Sequence, residues 1–381
     1  IYLSLINAAV VYIHQGKGIQ TMLAFLLSLN IIESIKPNEH VSPAMSYGAF
    51  TFFAGMMNLH GIAQHYYALA KKSLPQATLF AGKQTLGLLG FYHAQRAEWL
   101  KATEYIEACI QAFDAIGQVH NSDETRNTLG RVYGHLGDYQ KGYRMLSESY
   151  LRAKDRRDEV IALSLYIGTL SNIIQSGTIF STEFEDIILL YNSEEMQELL
   201  PNGWTANSHY KAGYYAVKAG YSAQTDDIDI AFNALATAME LYGTKSLERM
   251  STHFDLYYIV PQTCIYLLRL ENETWKPEAE AKLHEWLDIS LSKLGKYAKV
   301  NTFAKARYHL LLGYTRAFTN EQEALAIWQE TLAIAQTNQM PYEEALAYVA
   351  LYSVTADNNY LSQMQSIIEH IKVDKYAMDF P

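Results

Sequence analysis

The chain has 381 residues, with 30 lysines and arginines against 40 aspartates and glutamates, a net charge of −10, and an apolar fraction of 49%. So much apolar matter with so little charge can bury a core, which excludes disorder as the main state, and the acidic balance argues against a nucleic-acid surface. Two cysteines, Cys109 and Cys264, exclude a disulfide scaffold and a cysteine-built zinc cluster.

Residues 1–6 read as helix and carry no basic leader. The first basic residue is Lys17, so the order of a secretory signal is missing. The apolar run at 22–29 falls well short of the roughly 20 residues that span a bilayer. The expectation is a cytoplasmic piece of a longer soluble protein, with no membrane contact. Beyond this point apolar residues recur at spacings of three and four almost everywhere, and few stretches alternate with period two. The class is all-α.

Helix pairs are predicted at 1–35, 42–73, 80–116, 122–155, 159–197, 205–243, 246–295, 299–337 and 341–372. Pro37, Pro43, Pro75, Pro201, Pro277 and Pro341 fall in linkers or first turns, where a missing N–H does no harm. Pro261 interrupts 256–270, so a kink or a break is expected there.

The pairs repeat. Leu89-Gly90, His93, Trp99, Ala102, Ile106 and Cys109 return 40 residues later as Leu129-Gly130, Tyr133, Tyr139, Gly142, Leu146 and Ser149. Ile167-Gly168 follows 38 residues on. An earlier copy shows Ala63, Tyr67, Ala70 and Pro75, and a late one Leu312-Gly313, Ala324, Trp328 and Leu332. Small residues let two helices cross closely, and large ones fill the gaps between pairs. The pattern resembles the tetratricopeptide repeat, with a period near 40 instead of the usual ~34. The architecture expected is a right-handed α-solenoid of about nine antiparallel helix pairs. Phase is lost near Asn202, which divides the chain into a sub-array at 1–200 and a more irregular one at 201–381.

A further resemblance rests on longer segments. Val41-Ser42-Pro43-Ala44 precedes Leu59-His60-Gly61-Ile62-Ala63-Gln64-His65-Tyr66-Tyr67, then come Trp99-Leu100-Lys101-Ala102 and Phe113-Asp114-Ala115-Ile116-Gly117. Late in the chain stand Ala304-Lys305-Ala306-Arg307-Tyr308, Glu323-Ala324-Leu325-Ala326-Ile327-Trp328 and Met340-Pro341-Tyr342-Glu343-Glu344-Ala345-Leu346-Ala347. Together they resemble the C-terminal helical arm of signalling ATPases, the soluble adenylyl cyclase-like group above all. That resemblance implies a regulatory or partner-binding arm without catalytic residues of its own, which could also pack on catalytic domains of its parent chain.

Candidate chemistry is sparse. Gly82-Lys83-Gln84-Thr85 lacks the upstream glycine and the preceding strand of a phosphate loop. His60 and His65 are five apart and do not share a helix face, and no His-Glu-x-x-His occurs, so a metal is not expected. His93, His135 and His309 read as partly buried, hydrogen-bonded rings on packing seams. Cys109 and Cys264 read as buried packing thiols. The run Arg152, Lys154, Arg156 and Arg157 reads as a solvated turn with local ion pairs, or else a docking site for an acidic partner. Glu183, Glu185, Asp186, Glu194, Glu195 and Glu198 read as a solvated face, and Asn272-Glu273-Thr274 as a chance glycosylation triplet. Asp226-Asp227-Ile228-Asp229 reads as a loop ending in a helix cap. Tyr66-Tyr67, Tyr214-Tyr215 and Tyr257-Tyr258 should each turn one ring inward and one outward.

The reading is therefore a non-catalytic module, with no cofactor, that binds a protein or peptide on its concave face. Tyr92, Arg96, Asn127, Arg131 and His135 are the candidate contacts, because 92/96 and 127/131/135 each share one helix face. The alternative is a small-molecule sensor whose curvature changes when a ligand enters.

Overall fold

A computed structural model describes residues 18–34, 43–177, 208–243, 254–270 and 275–373, together with Leu5, Ala8 and Tyr12. Every regular element among the described residues is helical. The helices are α1 (Gly18–Ser34), α2 (Pro43–Met56), α3 (His60–Ser73), α4 (Leu79–Gln95), α5 (Trp99–Ala115), α6 (Val119–His135), α7 (Tyr139–Asp155) and α8 (Glu159–Ser176). They continue as α9 (Ser208–Gln224), α10 (Ile228–Gly243), α11 (Phe254–Arg269), α12 (Pro277–Ala298), α13 (Ala304–Ala317), α14 (Glu321–Thr337), α15 (Pro341–Thr355) and α16 (Asn358–Ile371). A single 3₁₀ turn, Leu74–Gln76, carries Pro75.

The joints explain the long period. Seven of them share one geometry. The helix ends, two residues turn, and a third residue opens the next helix. The second residue is left-handed at Asn58, Ala97, Gly117, Gly137, Arg157, Asp226 and Gln339. The N–H of the third residue reaches back five positions, as from Glu98 to the His93 carbonyl or Asp138 to Tyr133, at 2.8–3.0 Å in all seven. This is the six-to-one bond of a Schellman cap. The same third residue then offers its own carbonyl to the next helix, as Glu98 does to the Ala102 N–H and Asp138 to the Gly142 N–H. One residue thus closes one helix and starts the next. From α4 to α7 each helix has 17 residues. With a three-residue joint each occupies 20, and a pair occupies 40.

Packing follows the predicted crossings. A methyl on Gly87 would lie 2.5 Å from Cys109 Sγ, and one on Gly90 2.7 Å from Ile106 Cγ1 and 3.2 Å from the Ala102 carbonyl. Only a residue without Cβ lets α4 and α5 approach so closely. The Trp328 indole covers Gly313 and donates from Nε1 to the Leu310 carbonyl at 3.2 Å. First helices also stack on first helices: α2 on α4, α9 on α8 and α11, α11 on α13, and α13 on α15. That is the tetratricopeptide-like arrangement.

Of the kink or break expected at Pro261, the structure rules out the break, because α11 runs through it from Phe254 to Arg269. Proline removes the bond that the Tyr257 carbonyl would receive and crowds that carbonyl with its ring, while the burial of Val260, Gln262, Thr263 and Cys264 holds the turn. Pro43, Pro277 and Pro341 open their helices. The run at Asp226 is a joint as expected, with Asp227 accepting the Ala231 N–H and α10 starting at Ile228. The acidic stretch 183–198, the triplet at 272–274, Pro37, Pro201 and the boundary at residue 200 lie outside the described residues.

The chain forms two compact units. The first comprises residues 1–132 with 246–252 and 299–302, and the second 133–245, 253–298 and 303–381. In the first, α1 turns Phe25 and Leu29 onto Phe50, Phe53 and Met56 of α2. In the second, the joint before α7 packs on the last pair, where a methyl on Gly137 would meet Ile371 and Pro341.

Candidate functional site

In the first unit, a polar cluster sits where α3, α4 and α5 meet. His93 is buried at the end of α4. Its Nδ1 lies 2.6 Å from Glu98 Oε2, and its Nε2 lies 3.2 Å from the Tyr67 hydroxyl. Arg96 Nε donates to Glu98 Oε1 at 2.8 Å, and Lys71 Nζ donates to the Tyr105 hydroxyl at 2.9 Å. The joint between α4 and α5 places Glu98 here, since its backbone must cap α5 while its side chain turns back on α4.

Burial pushes the His93 imidazole below its usual 6.5, although Glu98 pulls the other way. Burial raises Glu98, but the hydrogen bonds from Arg96 and His93 outweigh it and hold the carboxyl below its usual range. Tyr105 is lowered in spite of its burial, because Lys71 and Tyr67 stabilise its phenolate. Burial pushes the Cys109 thiol up to about 12, so it is a packing group with no thiolate at neutral pH. Cys264 is buried and raised for the same reason.

The five predicted contact residues are distributed as follows. Tyr92 is buried against Tyr67 and His93. Arg96 is half-buried, with its guanidinium 5.8 Å from the centre of the Tyr92 ring. Asn127 is buried on α6 and accepts from Arg131 Nε at 3.3 Å. These four belong to the first unit, and His135 to the second. His135 is half-buried with its ring 5.1 Å from Phe303. The set 127/131/135 shares one helix, as its spacing required. Glu98, Lys71 and Tyr105 were missed, and the only signal for Glu98 was its place just before Trp99.

The second unit holds a larger polar hub, built by four first helices and the start of α7. Arg307 of α13 is fully buried. Its guanidinium lies between two rings, 4.6 Å from the centre of Tyr258 on α11 and 5.1 Å from that of Tyr342 on α15. Nη1 donates to Gln262 Oε1 at 3.1 Å, and Nη2 to Glu343 Oε1 at 2.7 Å. From α8, Ser171 Oγ lies 2.6 Å from the Tyr258 hydroxyl, and Gln175 Nε2 donates to the same hydroxyl. Tyr139 at the start of α7 donates to Gln175 Oε1 at 3.3 Å and stands edge-on to the Tyr342 ring. Arg307 Nε, Glu343 Oε2 and the Tyr342 hydroxyl have no hydrogen-bond partner among the described residues. Burial pushes the Tyr342 phenol above its usual range.

One expectation is corrected here. Tyr257 and Tyr258 do not alternate between inside and outside; both are fully buried. Helices pack on both sides of α11, so Tyr257 stacks on Tyr297 at 4.6 Å while Tyr258 enters the hub. His309 is half-buried, in keeping with its reading as a partly buried ring, with Nδ1 3.4 Å from Glu330 Oε2. The basic run ends α7 as a turn with local partners. Arg152 donates to Ser149 Oγ, and Arg156 to the Arg152 carbonyl and, at 3.8 Å, toward Asp158.

Among the described residues no group of three or more His, Cys, Asp or Glu side chains could hold a metal. No helix among them is long and apolar enough to cross a membrane.

No protein-family profile matches the chain. No curated protein matches it significantly. Among solved structures it is similar to the apo form of the quorum sensor NprR from B. thuringiensis, with a TM-score of 0.57 at 12% identity, over 96% of this chain and 98% of that one. At that identity the likeness shows the fold.

Proposed function

We propose that this chain is a non-catalytic regulatory module of the cytoplasm that binds a polypeptide ligand along the faces of its first helices. The observation that carries the reading is the end-to-end likeness in fold to a quorum sensor, a protein that reports a signal. An array of this kind offers a long surface assembled from equivalent positions of successive repeats. We place the contacts at Tyr92 and Arg96 of α4 and at Asn127, Arg131 and His135 of α6, whose amide, guanidinium and imidazole groups are of the kind that anchor peptides. The resemblance to the arms of signalling ATPases supports a place within a larger signalling protein, with 1–200 and 201–381 as two sub-arrays. No metal, cofactor or nucleic acid enters this reading.

The test is peptide display against the full chain. Tyr92 is buried, so the variant should pair Tyr92→Phe with alanine at Arg96, Asn127, Arg131 and His135. Peptides enriched on the native chain should bind this variant at least about tenfold more weakly, roughly 1.4 kcal/mol, with an unchanged circular dichroism spectrum. Equal binding to both proteins sinks the assignment of these contacts.

A further inference from the structure

We propose that the Arg307 hub is a receptor for a ligand carboxylate, and that Glu343 is its built-in occupant. The guanidinium is fully buried in a slot between the Tyr258 and Tyr342 rings, the setting in which its flat fork best grips a carboxylate. The carboxylate now present fills that fork poorly. Among the described residues only Oε1 of Glu343 engages, through Nη2, while Nε of Arg307 and Oε2 of Glu343 have no partner. The Tyr342 hydroxyl, on one of the two rings that flank the guanidinium, is a third group without a partner among the described residues. Native interiors rarely leave such atoms unmet, and a half-satisfied buried network is less stable than an apolar core. A buried ion pair also returns little net stability, and its best-attested use is discrimination.

α8, α11, α13 and α15 are all first helices of their pairs, and the hub is where they converge. A ligand carboxylate there would engage both the fork and the Tyr342 hydroxyl, which Glu343 does not do from α15. The carboxylate could belong to a small organic acid or to the C-terminus of a peptide. Both share this chemistry, and the experiment separates them. The site lies in the second unit, whereas Arg96, Asn127 and Arg131 belong to the first.

The test follows the Arg307 Nε–H by nitrogen-15 NMR of the full chain, assigned by its loss in Arg307→Lys. Propionate should shift this signal saturably, and propionamide, its uncharged analogue, should not. Glu343→Gln neutralises the occupant and should tighten propionate by at least about tenfold. If Glu343→Gln does not fold, Glu343→Asp, which retracts the carboxylate, should tighten it in the same direction. An acetyl-capped tetraglycine acid that gives the same shift, where its amide does not, assigns a peptide end; response to propionate alone assigns a small acid. A flat titration in native and variant chains, an equal response to propionamide, or weaker binding in the Glu343 variant overturns the proposal. Alanine at Arg96, Asn127 and Arg131 should leave the propionate response intact, so this proposal and the polypeptide reading fail separately.

Discussion

The His93 cluster and the Arg307 hub use the same parts, an arginine, a carboxylate and several tyrosines, to opposite effect. Glu98 and Arg96 are each about a third exposed, at 33% and 34% of their side chains. Water shares in solvating them, and the cluster gains modestly from its ion pair. Arg307 and Glu343 are 1% and 2% exposed. Nothing but the protein answers their charges. The first cluster is also local, drawn from residues 67–105 on three consecutive helices. The second gathers side chains from Tyr139 to Glu343 on five. Desolvation, not composition, decides whether such a group is a surface ornament or a constraint on the whole unit.

The largest expected effect tests that contrast directly. Arg307→Leu strands a buried carboxylate and should destabilise the protein by about 3–5 kcal/mol, while the double variant Arg307→Leu/Glu343→Leu recovers most of the loss. Urea unfolding measures both. A single variant as stable as the native chain would show the hub to be wet. At the other cluster, Glu98→Gln should lower stability by only about 1 kcal/mol or less, and a loss as large as that at Arg307 would erase the distinction.

A control touches neither cluster. Arg157→Gly relieves a left-handed arginine at φ +58, which is unfavourable by roughly 1–2 kcal/mol, against a glycine entropy penalty of roughly 0.5–1. Thermal unfolding should therefore show a net gain of about 0.5 kcal/mol. The smallest effect is one of pH. His93 has a folded value below 6.5, so the unfolded chain takes up its proton first as pH falls. Stability from this group is present above 6.5 and is lost as pH drops from 6.5 toward the folded value. The slope should vanish in His93→Gln, and a slope of opposite sign would mean that Glu98 outweighs burial.

Much of the fold was legible because it is written in neighbours. Gly90 against Ala102 and Ile106, Gly313 under Trp328, and the 40-residue period all arise from contacts within one pair or between adjacent pairs. Other joints were harder to see, since only Gly117 and Gly137 of the seven left-handed positions are glycine; alanine, asparagine, aspartate, arginine and glutamine take the rest. The contact residues show what spacing leaves open. It groups Tyr92 with Arg96 on a helix but does not say that Tyr92 turns to Tyr67 and His93. The hub was invisible for a stronger reason. Arg307 stood in the sequence as one polar position in Ala304–Tyr308, and an arginine there reads as solvated until Tyr258, Gln262 and Glu343 arrive from far along the chain.

The joint in which one residue ends a helix and begins the next has a consequence for how such a chain can change length. A residue inserted there would turn the following helix by about 100° and carry every downstream crossing glycine away from its partner. Small insertions are tolerated only where they bulge out of the joint. Growth that preserves the packing must copy a whole helix with its joint, or a whole pair if inner and outer faces are to keep their order. Copy number is then the variable open to selection, and the array lengthens in steps.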